Sequence, residues 1–109
     1  MTTQIFILEK ENEIGVKEGN DKYMFGSIYD IEVDEHGNIY VLDSVSSKVK
    51  KYNKFGDYVL EFGHSGQGPG EFGFPEAMVL DSSSNIYVLD SPEVKIFDEN
   101  GKYKSSFKS

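Results

Sequence analysis

The chain has 109 residues, 38% of them hydrophobic and 14% aromatic, enough for one small packed domain and too apolar for a disordered segment. Nineteen acidic side chains stand against eleven lysines and no arginine, a net charge of −8, which argues against a nucleic-acid binder because phosphate recognition needs a basic stripe and usually Arg. The absence of cysteine excludes disulfides, thiolate metal sites and a Cys nucleophile, and no apolar run approaches the roughly 18 residues of a membrane helix.

The elements are taken in chain order. Residues 1–22 read as an N-terminal β strand or hairpin, with strands expected at Gln4–Leu8 and Glu13–Val16. Met1 to Leu8 lacks a basic stretch and a cleavage site, so it is not read as a signal peptide, and the compartment stays open. From residue 23 the chain repeats. Asn38-Ile39-Tyr40-Val41-Leu42-Asp43-Ser44 recurs unchanged as Asn85-Ile86-Tyr87-Val88-Leu89-Asp90-Ser91, 47 positions on. Upstream, Ile31-Glu32-Val33-Asp34 matches Met78-Val79-Leu80-Asp81 at the same offset. Downstream, Val49-Lys50-Lys51-Tyr52 matches Val94-Lys95-Ile96-Phe97 at an offset of 45, so the second copy has the shorter loop.

Each copy reads as four short strands. The first unit, 23–63, carries them near Ile28–Val33, Asn38–Leu42, Lys48–Tyr52 and Tyr58–Phe62. The second, 76–109, carries them near Glu76–Leu80, Asn85–Leu89, Glu93–Phe97 and Tyr103–Phe107. These runs are rich in β-branched and aromatic residues, and their breaks carry turn residues. Gly37, Gly56 and Gly101 stand where a tight turn needs positive φ. Short connections predict antiparallel meanders. Ile39-Tyr40-Val41-Leu42 is apolar on both faces, as in a strand sandwiched between two layers, whereas the fourth strands are wetter. Buried inner strands with a polar outer strand fit a propeller blade, with a solenoid as the weaker alternative. The glycine-rich stretch 64–75 links the two units.

Two stretches carry a family resemblance. They are Phe25-Gly26-Ser27-Ile28 leading into Asp34-Glu35-His36-Gly37-Asn38-Ile39-Tyr40-Val41-Leu42-Asp43, and the link Gly63-His64-Ser65-Gly66-Gln67-Gly68-Pro69-Gly70-Glu71-Phe72. Both resemble bacterial NHL-repeat-like six-bladed β-propellers, over roughly Tyr23 to Phe107. The resemblance implies an all-β fold with two four-stranded antiparallel blades, plus the N-terminal segment, as part of a six-bladed ring. It also implies that similar proteins are often exported.

Two blades are incomplete by themselves. An isolated pair is expected to leave one face of each blade bare, with side chains such as Tyr40, Leu42, Tyr87 and Leu89 exposed. Several hundred Å² of bare apolar surface forgoes on the order of 10 kcal/mol. The expectation is a closed ring in which three copies supply six blades as a C3 homotrimer; four or eight blades, or a piece of a longer protein, are the other solutions.

Candidate chemistry is sparse. Asp34-Glu35-His36-Gly37-Asn38 resembles a cation loop, but the equivalent Asp81-Ser82-Ser83-Ser84-Asn85 drops the middle ligands, so Asp34 and Asp81 are read as turn formers. Some propeller enzymes resembling this chain, lyases and lactonases, hold an axial metal with His and carboxylates. Here His36 and His64 lie at non-equivalent positions, on opposite ends of a blade, and are read as exposed; a trimer would place three copies of His64 around the mouth. Ser44, Ser46, Ser47 and Ser65 lack a nucleophile-elbow motif. Gly66-Gln67-Gly68-Pro69-Gly70 precedes a strand and not a helix, so it reads as a crossover and not a phosphate cradle. Phe72, Phe74 and Pro75 are expected to anchor that crossover in the seam between blades.

The resulting expectation is a non-enzymatic binding or scaffold module without metal or cofactor. Its partners would be itself and another protein or small ligand, not nucleic acid or membrane. Loops Gly63–Phe74, Ser44–Lys48 and Ser91–Glu93 should share the binding end. The alternative is part of a lyase- or lactonase-like enzyme whose axial ligands come from further blades.

Overall fold

A computed structural model of the chain describes residues 7–9, 12–14 and 28–108. The lead-in Phe25-Gly26-Ser27 and the outer parts of the two N-terminal strands fall outside the described residues. Within them, β1 (Ile7–Glu9) and β2 (Asn12–Ile14) pair antiparallel, Ile7 opposite Ile14.

The first blade is the meander β3 (Ile28–Val33), β4 (Ile39–Asp43), β5 (Lys48–Tyr52) and β6 (Tyr58–Phe62). The second is β7 (Ala77–Leu80), β8 (Ile86–Asp90), β9 (Glu93–Phe97) and β10 (Tyr103–Lys108). All pairings within the blades are antiparallel, as the short turns demand. Four of the eight blade strands begin and end where the hydrophobic pattern places them, and the others differ by a residue at one or both ends. β4 and β8 run on to Asp43 and Asp90 because those carboxylates are buried, so the polar residue does not end the strand.

The repeated turns have one construction. Asp34 Oδ1 accepts the amides of His36 and Asn38, both at 2.9 Å, and Oδ2 accepts Asn38 Nδ2 at 3.1 Å and the Tyr40 hydroxyl at 3.3 Å. Asp81 repeats this with the Ser83 and Asn85 amides, Asn85 Nδ2 and the Tyr87 hydroxyl. The side chain thus supplies the acceptor that a tight turn's backbone lacks.

Packing gives each blade two distinct faces. Tyr40, Leu42 and Val49 of the first blade pack with Met78, Ile86, Val88 and Phe97 of the second, all at most 1% exposed. On the opposite face of the first blade Ile39, Val41 and Tyr52 are also 0% exposed, with Ile28, Ile31 and Tyr58 packed against them. The first blade therefore departs from the expectation of a bare Tyr40 and Leu42 face: those side chains point into the seam between blades. The first strands also meet, Met78 N donating to Asp30 Oδ2 at 2.9 Å. Farther out, Lys51 Nζ donates to the Glu99 carbonyl at 2.8 Å.

The second blade's outer face behaves as expected. Tyr87 and Leu89 are half-buried there, and with Ala77, Val79 and Val94 they line a shallow apolar trough of about 250 Å³. Val79 is 58% exposed. Tyr87 and Leu89 are the repeat equivalents of Tyr40 and Leu42, so the trough is the unfilled counterpart of the seam.

Candidate functional site

The meander puts the β3–β4, β5–β6, β7–β8 and β9–β10 turns at one end of the blades. The β4–β5 turn, the β8–β9 turn and the link 63–76 lie at the other. His36 and His64 consequently sit at opposite ends.

The link is built from its glycines and from Glu71. Gly63 has φ of +92°, and a Cβ there would overlap the Phe72 ring and press on the Ser47 carbonyl oxygen, which brings the link against the β4–β5 turn. Glu71 Oε1 accepts the Gly68 amide at 2.9 Å, and Oε2 pairs with His64 Nε2 at 2.7 Å. The Gly68 N–H and then His64 hold the Glu71 carboxyl below its ordinary range. Gly66 N is also committed, to the Phe72 carbonyl at 3.1 Å. These amides serve the chain's own turn, in keeping with a crossover.

Beneath the link lies a polar clamp that composition and motif reading missed. Asp90 Oδ1 accepts the Phe74 amide at 2.7 Å, and Oδ2 accepts the Gly73 amide and Lys95 Nζ, both at 3.0 Å. Lys95 Nζ also donates to the Glu71 carbonyl. The Asp90 and Lys95 side chains are only 6% and 4% exposed. Burial pushes the Asp90 carboxyl up, but the Gly73 amide, Lys95 and the Phe74 amide outweigh it and hold the group below its usual value. A signal for this existed in the repeat. Asp43 and Lys50 occupy the equivalent positions of the first blade and are buried too, so an Asp and a Lys recur together at matching buried strand positions.

The clamp orients the end of the link. Phe72 is buried edge-on against Phe97 at 5.5 Å, and Pro75 is buried, as anchors of the seam should be. Phe74 departs from that role: it is 84% exposed. With its amide tied to Asp90, its ring projects over a cleft of about 300 Å³ that also takes in Gln67, Pro92 and Glu93. The link and the Ser91–Glu93 turn thus share one end, and the Ser47 contact adds the Ser44–Lys48 turn to it.

The serines are turn residues. Asp43 Oδ1 accepts the Val45 and Ser46 amides, Ser47 takes a φ of 55°, and Ser46 Oγ is buried without a hydrogen-bond partner among the described residues. Among the described residues, no three His, Asp or Glu side chains converge as metal ligands. Nor is any helix there long and apolar enough to cross a membrane.

Two four-stranded meanders packed face to face, joined through a glycine-rich crossover and meeting at their first strands, define a pair of β-propeller blades. Residues 17–108 match the DUF5128 family, described as a 6-bladed beta-propeller, and the chain belongs to that family. Among solved structures it is similar to a crystal structure of a candidate exported protein from Bacteroides fragilis, with a TM-score of 0.70 and 19% identity. The match covers 97% of this chain and 28% of that one, so the present chain spans under a third of the similar protein. No curated protein matches the sequence.

Proposed function

We propose that the chain supplies two consecutive NHL-like blades of a six-bladed, non-enzymatic propeller, and that the loop end built on the crossover binds a partner. The observation that carries this reading is Phe74. An 84% exposed aromatic ring is held by a backbone amide on a buried carboxylate, so the protein displays it on a rigid support. Exposed aromatics on rigid supports are the side chains that dominate binding energy at interfaces.

The two-faced packing bears on how the ring is completed. A head-to-tail ring of three copies would dock the trough of one chain on the Ile39–Val41–Tyr52 face of the next. On that face Ile39, Val41 and Tyr52 are at 0% exposure. Completion by further blades of one chain brings a blade against that face as well, so the packing does not separate the two. The similar protein is more than three times as long as this chain, and on that ground we favour further blades over the C3 homotrimer.

The test is an NMR titration of the chain with phenol and isopropanol as neutral probes. The expected result is a cluster of amide shifts at Gly73, Phe74 and Ser91 to Glu93, lost in Phe74→Ala. Shifts confined to the β7–β8 trough would reject the loop end as the binding end. Divalent-cation-dependent turnover of a γ-lactone, abolished in His64→Ala, would reject the non-enzymatic reading in favour of a lactonase-like propeller.

A further inference from the structure

The Phe74 cleft does not end at Glu93. It continues into a second depression of about 130 Å³ that shares Gln67, Glu93 and Lys95 and is walled by Pro69 and Tyr103. The two form one elongated groove across the crossover, with an aromatic and a proline at each end: Phe74 and Pro92 at one, Tyr103 and Pro69 at the other. Glu93 stands at the junction. Its side chain is 38% exposed, and its carboxylate lies 3.9 Å from Lys95 Nζ. Among the described residues that line the groove, that ammonium is the only cation, and it is already committed at shorter range to Asp90 and to the Glu71 carbonyl. Glu93 thus keeps most of its negative charge for an incoming group. Glu76 lies nearby, accepting the Ser91 hydroxyl at 3.0 Å, and the whole chain carries −8.

We propose that this groove receives an extended, basic segment of a partner protein, with a lysine or arginine side chain seated at Glu93 and stacked on Phe74. The proposal rests on the loop-end binding reading and adds the class of partner. Two shallow depressions joined in series, with an aromatic and a proline in each, offer successive side-chain seats of the kind an extended chain fills. A cation over an aromatic face next to a carboxylate combines cation–π attraction with charge pairing. The surrounding negative field speeds encounter with a basic segment and repels an acidic one.

The test uses the 109-residue chain and three fluorescein-labelled octapeptides that alternate proline with lysine, glutamine or glutamate. Binding is read by anisotropy, and the site by amide shifts. The lysine peptide should bind at least about ten-fold more tightly than the glutamine peptide, and the glutamate peptide more weakly still. Raising NaCl from 50 to 500 mM should weaken the lysine peptide several-fold. Glu93→Gln and Phe74→Ala should each weaken it about five-fold or more. Glu35→Gln, in a turn at the opposite end, should leave it unchanged. All variants alter partly or fully exposed side chains, and circular dichroism spectra matching the wild type are the check that each folds.

Glutamine and lysine peptides bound equally, with Glu93→Gln neutral but Phe74→Ala impaired, would overturn the basic partner while leaving the loop-end reading intact. Lysine-peptide shifts that map to the trough, indifferent to both substitutions, would overturn both.

Discussion

Asp90 and Lys95 show what a single polar pair does in this fold. Asp90 draws together the end of the crossover, the end of β8 and the middle of β9, and it does so nearly out of contact with water. Removing one partner from such a pair strands the other, which costs about 3 kcal/mol or more. Asp90→Asn should therefore lower the stability measured by urea denaturation by about that amount, and the loss should depend on pH. Asp34, Asp81, Asp90, Asp98, Glu61 and Glu71 all have carboxyls held below their ordinary values in the folded chain. A carboxyl depressed on folding stabilises fully above its unfolded value and loses that contribution as pH falls through its folded one. Stability should thus be flat near neutrality and fall steeply below the ordinary carboxylate range of about pH 4. Glu32, raised by burial and by Asp30, runs the other way and softens the fall. The gap between wild type and Asp90→Asn should close in acid, where the wild-type carboxyl is protonated too. A gap that stays constant from pH 7 down to pH 2 would show that the Asp90 charge is not what stabilises.

The strands were legible because their burial is two-sided and their turns are chemically explicit. Ile39-Tyr40-Val41-Leu42 has no polar face, and Asp34 and Asp81 stand at matching turns whose hydrogen bonds they complete. The crossover was legible only in part. Its glycines announced tight backbone, yet nothing local separates Phe72, which is buried, from Phe74, which is not. Two residues of extended chain point the same way by periodicity; here the Asp90 carboxylate, 16 residues away, re-aims the backbone between them. Long-range polar contacts of that kind leave no periodic trace. Gly63 is a tightly constrained point of the crossover, since positive φ and the buried Phe72 ring both exclude a side chain. Gly63→Ala should destabilise by about 2 kcal/mol or more. Calorimetry would register it as a lowered Tm, and a shift within error of zero would mean that the crossover relaxes freely.

Among the described residues lies a pair of blades whose second member leaves an apolar face bare. The trough repeats Tyr40 and Leu42 of the internal seam as Tyr87 and Leu89, with the apolar Val79 beside them, but lacks the seam's partner, so at high concentration it should draw copies together weakly. Val79→Lys should suppress that association without changing the circular dichroism spectrum. Light scattering across a concentration series decides. A defined mass of three chains would restore the three-copy ring, and a wild-type mass that stays monomeric at all concentrations would show the trough to be inert. The Tyr87–Leu89 trough has a further consequence, best put in the language of polymers. It is the reactive end of an unfinished oligomer: whatever blade docks there brings an outer face of its own, so each addition passes the bare surface on and only ring closure removes it.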